Sequence, residues 1–117
     1  MQPDNMKTVY VVVVDDNKDM SDARRFGRLQ AVFSRAYKPY IIPKIIASAR
    51  KALVDFQPDD YLLMVGDPVL GALCMSLIIE KHGVINTLQW DRMRFEYVPQ
   101  RWDLDAHMRE EFESAED

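Results

Sequence analysis

Carboxylates, arginines and aromatic rings are the side chains whose spacing in this chain could do chemistry. Asp15 and Asp16 follow the apolar run at residues 11–14, and Asp67 follows a second apolar run at 61–65. Acids at the ends of two neighbouring strands could hold Mg²⁺ or accept a phosphoryl group. Gly66-Asp67-Pro68 also marks a strand-to-helix turn, the place where open α/β sheets bind ligands. The structural reading is the better one at both positions. Asp15-Asp16-Asn17 is turn chemistry, and Asp67 before Pro68 is a helix cap with proline at the first helical position. A carboxylate at the cap repels phosphate, and no G-x-G-x-x-G or G-x-x-x-x-G-K-[ST] pattern is present.

The acidic pair after VVVV looks like the opening of a response-regulator receiver domain, with Asp67 in the phospho-acceptor position. Residue order argues against it, because a receiver's Lys-Pro follows the acceptor strand and Lys38-Pro39 here precedes it. His82 and His107 have no neighbouring ligands at zinc spacing. Ser48 and Ser76 fall inside helical patterns with no histidine placed beside them. Cys74 is the one cysteine, sits in the most apolar stretch and reads as a core residue. No catalytic, cofactor or metal residue is assigned, and the expectation is a non-enzymatic protein without a cofactor.

Binding chemistry is better represented. Arg24, Arg25, Arg28, Arg35 and Lys38 alternate with Phe26, Phe33, Tyr37 and Tyr40. Guanidinium groups neutralise phosphates and aromatic faces stack on bases, so the composition suits single-stranded nucleic acid. Against it stand the overall charge of −4 and the core role open to Phe26 and Phe33. Residues 18–51 hold nine cations against Asp19 and Asp22, whereas residues 103–117 hold seven acids against Arg109. The acidic tail could itself cover the basic face. A second group, Trp90, Phe95, Tyr97 and Trp102 with Arg92, Arg94 and Arg101, has the residue types of interface hot spots. The candidate partner surface is therefore Arg24, Arg25, Arg28, Arg35, Tyr37, Lys38, Trp90, Arg92 and Arg94. A protein partner is the leading expectation and nucleic acid the alternative. An edge strand could also pair two copies into a homodimer.

These side chains need elements to position them. The β-branched run at 8–14 predicts a central strand, and Lys18 to Arg28 a helical turn or two broken by Gly27. Leu29 to Ser34 predicts a short strand. From Pro43, the stripe Ile42, Ile45, Ile46, Ala49, Leu53 and Phe56 predicts a helix lying on a sheet. The chain is organised around residues 61–83, which predict a buried strand, the Gly66-Asp67-Pro68 turn, a helix apolar nearly all round, and Gly83 as its left-handed end. Residues 84–98 predict a β-hairpin around Asp91-Arg92-Met93.

The fold expected is one α/β domain over residues 1–102, followed by an acidic, partly disordered tail at 103–117. It has a mixed sheet of about four or five strands, two main helices and a C-terminal antiparallel hairpin. At 117 residues, such a chain buries roughly two-thirds of its unfolded surface. No apolar run approaches the roughly 20 residues that span a bilayer, and the N-terminus lacks signal-peptide features.

Asp60, Tyr61, Leu62, Leu63, Gly66, Asp67 and Pro68, then Leu88, Trp90, Asp91 and Arg92, follow the pattern D-Y-L-L-x-x-G-D-P with an L-x-W-D-R hairpin. In this the chain resembles small, uncharacterised α/β proteins of tailed bacteriophages. RRFGRLQAVF is similar to an F-G-x-L stretch upstream in such proteins. The resemblance implies a protein of the infected bacterial cytoplasm and carries no catalytic residue with it. The reading is a regulatory or interaction protein acting on a host or phage complex.

Overall fold

The computed structural model describes residues 6–14, 18–34 and 41–104. The chain runs β1 (Thr8–Val13), a 3₁₀ helix (Ser21–Phe26), β2 (Arg28–Phe33), α1 (Ile42–Ala52), β3 (Tyr61–Leu63), α2 (Pro68–His82), β4 (Val84–Asp91) and β5 (Glu96–Asp103). The strands form one sheet in the order β2-β1-β3-β4-β5. The first four are parallel and β5 pairs antiparallel with β4. This is the expected mixed α/β fold with a closing hairpin. Asp15, Asp16, the tail from residue 105 and three candidate binding residues, Arg35, Tyr37 and Lys38, lie outside the described residues.

Each face of the sheet carries its own core. On one face Tyr10, Val12, Phe33, Leu62 and Ile85 meet Ile45 and Ala49 of α1 and Leu70, Cys74 and Ile78 of α2. On the other, Val9, Val11, Leu63, Leu88 and Tyr97 close around Ala23 of the 3₁₀ helix. All six residues of β1 are buried, because both faces are covered there.

Helix α1, β3 and the hairpin differ in extent from expectation, β3 ending at Leu63 rather than Val65, and α2 differs in its burial. Helix α1 stops at Ala52, where the Leu53 N–H closes on the Ala49 carbonyl, and does not run on to Phe56. Phe56 still reaches the core from the following turn and packs 5.1 Å from the Tyr10 ring. The all-round apolar α2 is not enclosed: one of its sides meets the sheet, α1 packs beside it, and Val69 is 74% exposed. The hairpin turn is one residue longer than expected and shifted, with residues 92–95 between the strands, so Phe95 sits in the loop rather than in β5. Pro99 and Trp102, beyond the hairpin expected over 84–98, are paired within β5.

The turn into α2 forms as the residue types dictate. Asp67 Oδ1 accepts from the Val69 N–H at 2.8 Å and the Leu70 N–H at 3.4 Å, Pro68 opens the helix, and Gly83 ends it at φ 72°. Gly66 has a stricter role. Its φ is 97°, and a Cβ there would lie 2.7 Å from the Val13 Cβ. Gly66→Ala should therefore lower the unfolding free energy by about 2–4 kcal/mol, through both strain and overpacking, read from urea denaturation.

Cys74 is fully buried, and burial pushes its thiol up to about 11. As pH rises from about 9 to 11 the unfolded chain loses this proton while the folded chain keeps it, so stability falls across that window. Wild type should lose more stability between those pH values than Cys74→Ala does, measured by denaturation at each pH.

Candidate functional site

A cleft of about 770 Å³ opens at the carboxyl ends of the parallel strands. Its cause is the shortness of β3. Leu63 is the last β3 residue paired with β4, opposite Leu88, whereas β4 continues to Asp91. After Leu63 the chain bends in a three-residue turn, the Val65 N–H reaching back to the Leu63 carbonyl at 3.1 Å. The Val65 carbonyl then accepts from the Val13 N–H, which draws the chain toward β1 and away from β4. The gap lies beside the boundary between β1 and β3. There the chain order reverses across the sheet, the usual ligand position in open α/β folds.

The two walls of the gap differ in chemistry. On the 3₁₀-helix side Trp90 and Tyr97 pack edge-to-face with ring centroids 5.0 Å apart, and Leu88 and Val65 form the floor. On the helix side, side-chain hydrogen bonds run from Trp102 Nε1 to Thr87 at 2.9 Å, from Thr87 to Gln100 at 3.4 Å, and from Gln100 Nε2 to Gln89 at 2.8 Å. The Met64 side chain lies over Gly71, where a Cβ would come within 2.6 Å of its terminal methyl. Lys18 and Asp19 stand at the rim. Hydrogen bonds from Ser21 hold the Asp19 carboxyl below the usual range.

The hairpin tip beyond the cleft is unusually apolar for a solvated loop. Met93 is 89% exposed and Phe95 76%. Phe95 has φ 54°, its N–H bonds the Asp91 carbonyl at 2.9 Å, and the Asp91 carboxylate accepts from the Met93 and Arg94 N–H groups. Asp91 thus shapes the loop that carries Arg92 and Arg94.

The candidate arginines divide into separate groups. Arg25 is engaged within the fold: its guanidinium donates to the Tyr97 carbonyl at 2.6 Å, pairs with Asp22 at 3.2 Å and covers the Phe26 ring at 4.1 Å. Asp22 accepts from the Tyr97 N–H at 2.7 Å, so the two side chains hold both backbone groups of one β5 residue. Arg24 and Arg28 are exposed at the amino ends of β1 and β2, around a groove of about 400 Å³ with Met6 and Leu29. Arg92 and Arg94 lie at the opposite end, on the hairpin loop, with Arg94 3.7 Å from Asp91. The structure therefore brings Trp90, Arg92 and Arg94 together but leaves Arg24 and Arg28 elsewhere.

A family model described as phage Pam3 gp32-like protein matches residues 7–104, from the residue before β1 to the residue after β5. The chain belongs to the phage Pam3 gp32-like protein family. The match makes it a protein of phage type, in line with the phage resemblance of its sequence; it covers the DYLLMVGDP and LQWDR stretches without marking either as a family signature. No curated protein and no solved structure matches the chain. In this member of the phage Pam3 gp32-like family, no helix among the described residues is long and apolar enough to cross a membrane. Nor do three His, Cys, Asp or Glu side chains gather among them as a metal site. His82 instead places Nε2 3.0 Å from the Phe56 carbonyl.

The residues that sequence reasoning did not single out are Asp22, Gln89, Gln100 and Met93. The i,i+3 spacing of Asp22 and Arg25 was the available signal of an ion pair. Asp22→Ala removes the acceptor of a half-buried N–H and should destabilise by about 1–2 kcal/mol. Hydrogen exchange at the Tyr97 amide should speed up more than at amides of β1.

Proposed function

We propose that the protein is a non-enzymatic interaction protein that binds a host or phage protein partner, in the infected bacterial cytoplasm, through the carboxyl end of its sheet. The observation that carries this reading is the exposure of Met93 and Phe95 on a closed loop, beside the half-exposed Trp90 and an apolar cleft. Large apolar side chains on a preorganised loop bind with little entropic loss, and Trp and Arg are favoured anchors. Asp91 orders that loop from within. Arg92 and Arg94 supply a charged border, so acidic groups on the partner beside an apolar patch fit best.

The test is a tagged protein produced during infection, with wild type compared to Met93→Ser/Phe95→Asn. Asparagine tolerates the left-handed backbone at position 95, so the fold should be retained. Wild type should retain a defined partner that the variant loses, with melting temperatures of the two close. Equal capture by both would overturn the reading.

A second reading, single-stranded nucleic-acid binding, is favoured by one observation: Arg24 and Arg28 are exposed and form no ion pair among the described residues. If it holds, labelled single-stranded DNA or RNA should bind at about 50 mM salt and weaken steeply by about 200 mM. Arg24→Glu/Arg28→Glu should abolish that binding, as followed by fluorescence anisotropy.

A further inference from the structure

We propose that the gap between β3 and β4 is a strand-acceptor site, which takes an extended peptide segment of the partner as a short extra strand against Trp90. The proposal rests on the protein-partner reading and adds the form in which the partner is held.

The backbone of Trp90 decides it. In an antiparallel pair, residues facing each other alternately exchange hydrogen bonds or turn both backbone groups outward. Tyr97 faces Trp90, and its N–H and carbonyl are taken from outside by Asp22 and Arg25. Pro99, two residues on and opposite Leu88, has no N–H to give to β4, in keeping with the same outward set. The N–H and carbonyl of Trp90 therefore point away from β5, toward the line of β3. Strand β3 has already ended at Leu63, and no protein group among the described residues takes them. A donor and an acceptor separated by one Cα match the same pair on another extended residue. The complement of this edge is thus polypeptide backbone rather than a phosphate or a metal.

The flanking side chains define what such a peptide would carry. Successive residues of an added strand face opposite sides of the sheet. One side meets the Trp90, Tyr97 and Phe95 rings, and the other the Gln89 and Gln100 amides. The segment should therefore alternate a large apolar residue with a hydrogen-bonding one. Strand β4 extends three residues past the end of β3, which gives about 10 Å of edge at about 3.3 Å per residue. Two or three bound residues fit that length, and the cleft volume accommodates their side chains.

The test begins with a displayed library of random peptides of about ten residues, selected on the immobilised protein. One selected peptide is synthesised and titrated against wild type, Trp90→Val, Trp90→Pro and Met93→Ser/Phe95→Asn. Proline at position 90 removes an N–H that β5 does not use, and valine removes the indole alone. Melting temperatures confirm that each variant is folded, and hydrogen exchange of the wild-type Trp90 amide is followed with and without peptide. Selected peptides should alternate apolar and polar residues, slow exchange at the Trp90 amide, and bind Trp90→Pro about tenfold more weakly than Trp90→Val. Failure to select any peptide overturns the proposal. So does binding that leaves the Trp90 amide unprotected and the two position-90 variants equal. If that binding is lost in Met93→Ser/Phe95→Asn, the strand site alone falls and the partner reading stands. Protection of the Trp90 amide by the protein alone at high concentration would overturn the proposal in favour of a second copy of this chain.

Discussion

The close approach of the Gly66 backbone to Val13 is the constraint on which the carboxyl end of this sheet depends. The chain leaving β3 must pass over the end of β1, and only a residue without Cβ fits against the Val13 side chain at that φ. The Val13 N–H and Val65 carbonyl bond fixes the crossing in place. Three consequences follow from this one contact. Strand β3 is cut to three residues, α2 starts immediately at the Asp67 cap, and β4 runs on beside a lane that no strand among the described residues fills. A longer β3 would pair with Trp90 and close the cleft.

The opposite end of the sheet shows what a filled edge looks like in the same fold. The buried Asp60 carboxylate accepts from the Thr8 N–H at 2.9 Å and the Gln57 N–H at 2.8 Å, tying β1 to the turn before β3. Asn86 donates to the Pro58 and Asp60 carbonyls and accepts from Arg101 at 3.0 Å, tying β4 and β5 to the same turn. The buried polar groups of Asp60 and Asn86 are satisfied there, which braces that end of the sheet. Among the described residues, the carboxyl end has no such network across the gap. The asymmetry arises because α1 feeds into β3 through a compact polar turn, whereas β3 leaves through a glycine that steers it sideways.

Local chemistry was legible in the sequence wherever a residue acts on its near neighbours. The β-branched run of β1, the Gly66-Asp67-Pro68 turn and the Gly83 stop all form as their residue types require. The helix stripe ending at Phe56 misled because the same burial was reached without helix: Phe56 enters the core from the turn after α1, its ring tilted against that of Tyr10. Long-range partnerships left no mark in the spacing. Nothing near Arg25 indicates that its guanidinium binds a carbonyl 72 residues away, and this contact converts one of the candidate surface arginines into a fastener of β5. The gap itself was illegible, since an apolar run at 61–65 reads as one strand whether or not its last two residues stay in the sheet.

The fastener and the gap belong to one arrangement. The sheet order puts three strand spacings between β1 and β5, about 14 Å, yet the 3₁₀ helix that follows β1 touches both. The sheet must coil toward that helix for Asp22 and Arg25 to reach Tyr97. Coiling brings Tyr97 and Trp90 over the Leu63–Leu88 floor, so the aromatic wall stands upright beside the lane that β3 vacates. It also occupies the outer edge of β5 at Tyr97, and Pro99 interrupts the rest, so that edge is poorly suited to pairing with another chain. The free backbone of the hairpin is thereby moved from its outer edge to its inner one. On the inner edge it faces a bounded space with rings on one side and amides on the other.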